Sequence, residues 1–407
     1  MIQNFSVDQA VQYLLNEAGL LVKDERVSLA DACSRINAQA LFAKVDVPGF
    51  DNSAMDGYAL SSQQLSSAEV TEVVIKGRLS AGDAGAELPE NAAVEINTGA
   101  PMPKGADCIL LNEAVQRHGD SIRVHKRQIK PGQHIRLRGE DMHEGERILE
   151  QGARITPLHL AKLAAAGIDQ LNVYRPLRVA VVTTGNELKM PGEPLSSGQR
   201  YDVNYFALTS MLTSLGCEVV TYAIVEDQLN EIQTVLAQAC QTADMILTSG
   251  GVSVGSKDYI KQAISQMGEV HMWRVAVKPG KPIAFARVGG RTPLLALPGN
   301  PVALVVAFCL FARPFILRSS GLIEHRVRAW PVRAASPYSK VSERCQYLRA
   351  KLLEDEGGTM MAEIYQNQGS AMVSSLSCAD GLVCVEAQRR VEQGDVVSFF
   401  SFSDLFS

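Results

Sequence analysis

The sequence predicts a multidomain α/β protein centred on a three-layer α/β/α unit with a mostly parallel sheet. Three observations predict it. Between about Arg178 and Ser320 the apolar pattern alternates strand and helix, in "RVAVVTTG", "YFALTSMLTSLG", "CEVVTYAIV", "LNEIQTVLAQAC" and "ADMILTSGG". Such alternation implies right-handed crossovers and a parallel sheet covered on both faces. From about Val27 to Glu150 the pattern is instead one of short segments cut by Gly, Pro and Asp, as in "VTEVVIKGRL", "AVEINTG", "DCILLNEAV" and "SIRVHKRQI", and reads as mostly β. Finally, 407 residues exceed what one core organises, so about two to four domains are expected.

In chain order, the first helix is marked by Ser6 as cap and Gln9 at the capping-box position. Val7, Ala10, Val11, Leu14, Leu15 and Ala18 make its apolar face. A second helix is announced by "TPLHLAKLAAAG", with Thr156 as cap, Pro157 at the first helical position and Gly167 as terminator. Helices thus bracket a β insertion. The expected division is a discontinuous, partly helical N-terminal domain (1–45 and 141–176), a β-rich inserted domain (46–140), the α/β domain (177–325) and a small all-β C-terminal domain (326–407). Trp330, "QYLRAKL", "GLVCVEA" and the turn-like "EQGDVVSFF" point to the last of these.

Composition narrows the function. A hydrophobic share of 46%, a charged share of 20% and a net charge of −5 fit a soluble globular protein without a general nucleic-acid surface. The eight cysteines are scattered, with no CxxC and no close Cys/His set; reduced, buried thiols fit better than disulfides or zinc. "MIQNFSVDQAVQYLL" lacks a basic n-region, and "PVALVVAFCLFARPFIL" is expected to break at Arg313 and Pro314 before reaching membrane-spanning length. No membrane segment and a cytoplasmic location are expected.

In open α/β sheets ligands sit beyond the carboxyl ends of the strands. "TTGNEL", "VEDQ" and "SGGVSVGSKDY" lie at such ends. Gly250, Gly251 and Gly255 let backbone approach a ligand, and Ser249 and Ser253 add hydroxyls. Asp258 would repel phosphate unless a divalent cation lay between them; as a plain helix cap closing a tight turn it reads equally well. Glu187 and Asp227 would add acids at the same edge, though each also suits a helix cap. "KPGKP" offers Lys278 and Lys281 on a proline-stiffened turn, either as solvated lysines or as a preset cationic corner. "LPGNP" carries Pro298 and Pro301 in a rigid turn that Gly299 would open to a ligand. In the N-terminal half, "VPGFDNSAMDGYA" holds Asp51 and Asp56, just after Asp46. Arg136 and Arg138 in "IRLRGED" would share one strand face and clamp an anion, or line a solvated edge. The seven histidines show no metal or nucleophile spacing.

"DVPGFDNSAMDGYA", "INTGAPMP", "IRLRGED", "TTGNEL", "SGGVSVGSKDY", "KPGKP", "LPGNP" and "NQGSAMVSSL" occur in this order over nearly the whole chain. Together they resemble the molybdopterin molybdenumtransferase family, MoeA in bacteria and the E domain of gephyrin in animals. The resemblance implies a central domain like that of MogA and MoaB and a C-terminal β-barrel. It implies ligation of molybdate to adenylylated molybdopterin with Mg²⁺ and release of AMP. It also implies a homodimer whose N-terminal domain takes part in dimerisation and whose cleft is shared between subunits. Glu187, Asp227 and Asp258 would hold the metal and, with Asp56 managing protons or metal, form the catalytic set. Ser249, Gly250, Gly251 and Ser253 would hold pyrophosphate. Lys278, Lys281, Arg136 and Arg138 would hold molybdate or the pterin phosphate, and Thr98, Asp141, Pro298, Pro301 and Ser370 complete the substrate-binding set. Contacts with the molybdopterin adenylyltransferase and with molybdoenzyme maturation proteins are implied as well. The rivals are an adenylyltransferase, which usually shows "TGGTG", and a molybdopterin-binding scaffold without catalysis. Two positions depart from the family pattern: Asn186 stands where an acid is frequent, and Lys257 where a small or acidic residue is common.

Overall fold

Strand Arg178–Thr184 carries an unbroken apolar run, and its alternate side chains serve two cores, as a two-residue period requires. Val179 and Val181 join Leu208, Leu212, Phe285, Phe311 and Phe315 on one side. Ala180 and Val182 join Ile232, Leu236, Ile260 and Ile264 on the other. The protein is described by a computed structural model over residues 5–64, 69–250, 259–272 and 274–406. Its central sheet has the order Glu218–Val225, Arg178–Thr184, Met245–Ser249, Thr292–Leu297, Ala284–Val288, Gly268–Met272. The first four strands are parallel, and Ala284–Val288 runs antiparallel to both neighbours. The mostly parallel three-layer unit expected from the sequence is therefore present.

Helix Val7–Glu17 has the Ser6/Gln9 capping box. Its buried face of Val7, Ala10 and Leu14 packs into the core that contains Val179 and Phe315. Beyond it, strand Asp24–Ser28 pairs with Gln170–Tyr174, which also pairs with Ile36–Asn37. The chain on either side of the β insertion thus meets in one small sheet. The insertion's own sheet orders Cys108–Leu111, Gly57–Leu60, Ala92–Ile96, Val70–Leu79, Ser121–His125 and Gln116–His118. Gly57 is obligatory there, because a Cβ would lie 2.0 Å from the Leu110 carbonyl oxygen.

At the C-terminus, strands Cys345–Glu354, Met360–Ile364, Trp330–Ala334, Val396–Ser401 and Gly381–Val385 close into a barrel, since the last pairs back with the first. Strand Val277–Lys278 of the α/β unit docks on it, with Lys278 opposite Gln346.

One expectation is corrected. "PVALVVAFCLFARPFIL" does not break at Arg313 and Pro314. A wide turn at Phe308–Ala312 absorbs the proline, whose missing N–H and ring would interrupt a regular helix, and the helix continues to Ser319. Pro301–Ser319 is therefore 19 residues with a mean hydropathy of 1.9, long and apolar enough to cross a membrane. It is also 89% buried inside the fold, where it forms the middle of the larger core.

Candidate functional site

The carboxyl ends of the central strands open into a cleft of about 690 Å³. Thr184, Gly185 and Glu187 follow the first strand, Asp227 the edge strand, and Ser249 with Gly250 the third. Pro298, Gly299, Asn300 and Pro301 follow strand Thr292–Leu297, and the barrel side adds Arg344, Gln368 and Ser370. Of the residues expected from sequence, the structure brings together Glu187, Asp227, Ser249, Gly250, Lys278, Pro298, Pro301 and Ser370. Gly251, Ser253 and Asp258 lie outside the described residues.

The local bonds assign what each group can do. Glu187 is paired with Arg200 at 2.6 Å, an arrangement set by the pairing of Leu188–Lys189 with Arg200–Tyr201. Asp227 receives its backbone bond from outside its own loop: its N–H donates to the Asn186 side-chain oxygen at 3.1 Å. Asn186, the departure from the family pattern, thus keeps the acceptor that an acid would offer. The Asp227 carboxylate itself has no partner among the described residues. Ser249 is buried, and its Oγ accepts from Asn204 Nδ2 at 2.7 Å, which leaves its hydroxyl proton available to a ligand. Gly250 differs from the expected phosphate cradle, since its N–H donates to Leu297 O at 3.1 Å and is already used. Among the described residues no group of three His, Cys, Asp or Glu side chains is arranged for a metal.

Lys278 and Lys281 part company. Lys278 lines the cleft, fixed by its place beside the barrel strand, and Arg344 Nη1 braces it by donating to Val277 O at 3.0 Å. Lys281 is exposed and is not among the cleft-lining residues. Of the two expected lysines, Lys278 lines the cleft, where Arg344 joins it, and Lys281 does not line it. Residues 367–370 are held by Arg349, a fully buried side chain that donates to Gln368 Oε1, Gly369 O and Asn367 O at 3.0–3.2 Å. Arg200, Asn204, Arg344, Arg349 and Gln368 escaped the sequence reading.

The N-terminal residues form a separate exposed group. Strand register sets Gly57 opposite Ile96, so Asp56 and Thr98 meet just past the paired ends. Asp56 Oδ1 accepts from Thr98 N at 2.6 Å and Thr98 Oγ1 at 2.9 Å. Arg136 lies on the short strand Ile135–Arg136, but Arg138 lies in the turn after it. The expected common strand face is therefore corrected: Arg138 pairs with Asp46, and its N–H bonds Asp51 Oδ1 at 2.7 Å. Asp141 is exposed, its N–H bonded to Val47 O at 3.0 Å. None of Asp56, Thr98, Arg136, Arg138 and Asp141 lines the cleft of its own chain.

The Thr98 backbone N–H, then its hydroxyl, holds the Asp56 carboxyl below its ordinary value of 3.8. These bonds favour the ionised form of Asp56. A depressed folded value means that the bond contributes above the ordinary value and is lost as pH falls through the lowered one. An NMR titration of the Asp56 side-chain carbonyl should have its midpoint below 3.8. Asp56 and Thr98 signals should not move with pH above that range.

A three-layer α/β/α unit with a mixed-charge cleft at the carboxyl ends of its strands has the form of a small-molecule site. Family models agree: residues 5–167 match the MoeA N-terminal region (domains I and II), 180–318 a probable molybdopterin binding domain, and 331–402 the MoeA C-terminal region (domain IV). The chain belongs to the molybdopterin molybdenumtransferase (MoeA) family. The molybdopterin molybdenumtransferase of Haemophilus influenzae is 35% identical over 403 residues, covering 98% of this chain and 99% of that protein. The protein of that name from Synechococcus elongatus is 37% identical over 327 residues, 78% of this chain and 80% of its own. A molybdopterin biosynthesis MoeA protein from Pyrococcus horikosii has a TM-score of 0.82 at 29% identity, over 98% of this chain and 99% of that one.

Proposed function

We propose that the cleft ligates molybdate to adenylylated molybdopterin and releases AMP. The observation that carries this reading is the division of the cleft into two charged ends. Asp227, whose carboxylate has no partner among the described residues, lies at one strand end, and Lys278 with Arg344 lies on the barrel side. Ser249 donates to the pyrophosphate, and Lys278, Arg344 and Ser370 hold the oxyanion. A molybdate oxygen or water attacks the phosphoanhydride and AMP leaves; the two dithiolene sulfurs replace oxygen ligands of molybdate, which depart as water, and no protein nucleophile is needed. Burial pushes the thiols of Cys108 and Cys309, and of the half-buried Cys217, up to about 12, which disfavours the reactive thiolate at neutral pH.

Mg²⁺ suits this cleft in one respect: it commonly takes one or two carboxylates together with substrate phosphates, and Asp227 offers an uncommitted carboxylate. Glu187 is committed to Arg200 and would orient that guanidinium toward the ligand. Bound beside Asp227, Mg²⁺ would neutralise charge on the phosphoanhydride. The separation of Asp56, Thr98, Arg136, Arg138 and Asp141 from their own cleft supports a homodimer in which they complete the partner's site. Cytoplasmic action alongside the adenylyltransferase that makes the substrate, and the maturation proteins that take the product, accords with this reading.

The test is purified protein with adenylylated molybdopterin, molybdate and Mg²⁺. AMP release supports the reading; adenylylation from ATP, or binding without turnover, would favour the two rivals. Lys278→Ala and Arg344→Ala should each remove a charge-assisted contact worth roughly 1.5–3 kcal/mol. Molybdate affinity should then fall about ten- to a hundredfold, while Lys281→Ala changes little. Titrating molybdate and AMP separately checks this, since loss of AMP affinity alone would reverse the assignment.

A further inference from the structure

Two buried oxygens of cleft-lining residues have no hydrogen-bond partner among the described residues. Asp202 is 1% exposed and Asn204 9%. Asp202 Oδ1 caps helix Val203–Ser214 by accepting the Tyr205 N–H at 3.0 Å, while its Oδ2 is left without a hydrogen bond. Asn204 Nδ2 donates to Ser249 Oγ at 2.7 Å and Gly299 O at 2.8 Å, which fixes the amide orientation and leaves Oδ1 unpaired. Buried acceptors without donors are costly and uncommon. Arg200, two residues before Asp202, is committed to Glu187.

We propose that Asp202 and Asn204 are the acceptor pair that reads a ring edge carrying two adjacent donors. On the substrate of the preceding reading, on which this rests, that edge is the amino and ring N–H pair of the pterin or the vicinal hydroxyls of the ribose. Phosphate and molybdate at neutral pH present acceptors almost exclusively, and a carboxylate repels them. The oxygen pair therefore belongs to the ring portion of the substrate, away from the Lys278/Arg344 corner. The free carboxylate oxygen of Asp202 would form a charge-assisted bond to one donor and Asn204 Oδ1 a neutral bond to the other, and both would be left unpaired by a ring lacking those donors.

Asp202→Asn tests this with little change of shape. Its oxygen stays on the Tyr205 N–H, because Asn caps helices about as well as Asp, and a nitrogen donor replaces the free oxygen. Asp202→Ser keeps the cap and deletes the second oxygen. Titrations would use 6-hydroxymethylpterin, AMP and 2′-deoxy-AMP, with thermal melts as the folding control. Asp202→Asn should weaken one ring probe by about tenfold or more. Weakening of hydroxymethylpterin identifies the pterin edge, and weakening of AMP but not 2′-deoxy-AMP identifies the ribose. Wild-type affinity for every probe in both variants would overturn the proposal, as would loss of Mg²⁺ binding with the ring probes unchanged. If both variants melt early, the intact protein decides: equal affinity for AMP and 2′-deoxy-AMP, and for hydroxymethylpterin and its 2-dimethylamino analogue, would also overturn it. Wild-type protein that binds no probe at all would sink the proposed function together with this assignment.

Discussion

Asp227→Asn should lower the rate of AMP release by about 10²–10³, the usual cost of removing one preorganised charge that stabilises a transition state. Its melting temperature should stay close to that of the unaltered protein. Asp227 is half-exposed at the end of an edge strand, outside both hydrophobic clusters that cover the sheet. Its backbone N–H bond to Asn186 survives the substitution, so no core contact is lost. What changes is the charge of a half-exposed cleft carboxylate that stands, among the described residues, without a cation. A calorimetric Mg²⁺ titration of the free protein gives a second reading that does not depend on turnover. Unchanged AMP release and unchanged Mg²⁺ affinity would reduce Asp227 to a polar residue at a strand end.

Glu187→Gln makes a useful contrast. Glu187 faces Arg200 across a side-chain pair of 64% and 38% exposure, and exposed pairs of this kind contribute little to stability. A loss of activity there, without loss of Mg²⁺ affinity, would mark Arg200 as the group that Glu187 positions.

Much of the fold was legible because it rests on local periodicity and caps. The two-residue alternation of Arg178–Thr184, the Ser6/Gln9 box and the Thr156–Pro157 start all encode structure within a few residues of themselves. The rule that ligands gather at the carboxyl ends of parallel strands then united Glu187, Asp227, Ser249 and Pro298 from four separate loops. Arg344 and Gln368 were not legible. They reach the cleft because Val277–Lys278 pairs with the barrel strand, and the Arg344 bond to Val277 spans a sequence separation of 67. Arg349 was invisible for a related reason, since a fully buried arginine whose donors are taken up by three uncharged oxygens leaves no acidic partner to notice. The Arg136/Arg138 expectation failed because alternation alone cannot tell a strand from a strand end. Asp46, 92 residues away in sequence, captures Arg138 in the following turn. Pro314 was read as a helix breaker, which is sound for regular α-helix and fails where a wider turn precedes it.

Mixing two inactive variants should restore activity. Asp56→Ala alters the exposed N-terminal group and Asp227→Ala the cleft, and each homodimer would carry the same defect in both of its sites. If every site draws one group from each subunit, a mixed dimer holds one site with both defects and one with neither. Random exchange makes half of the dimers mixed, so about a quarter of wild-type activity should return in an equimolar mixture after unfolding and refolding together, given the two-fold symmetry usual for such dimers. The structural ground is that Asp56 is fixed by Thr98 on an outward-facing edge, while the cleft of its own chain is lined without it. Asp56→Ala removes no buried contact, and its loss of activity alone should therefore come with unchanged melting. A site complete within one chain gives a different result, because every subunit in the mixture then carries a defective site and activity stays at the level of the separate variants. Sedimentation of the mixture distinguishes failure to exchange from failure to complement: monomers at micromolar concentration with full wild-type activity would end the shared-site reading outright.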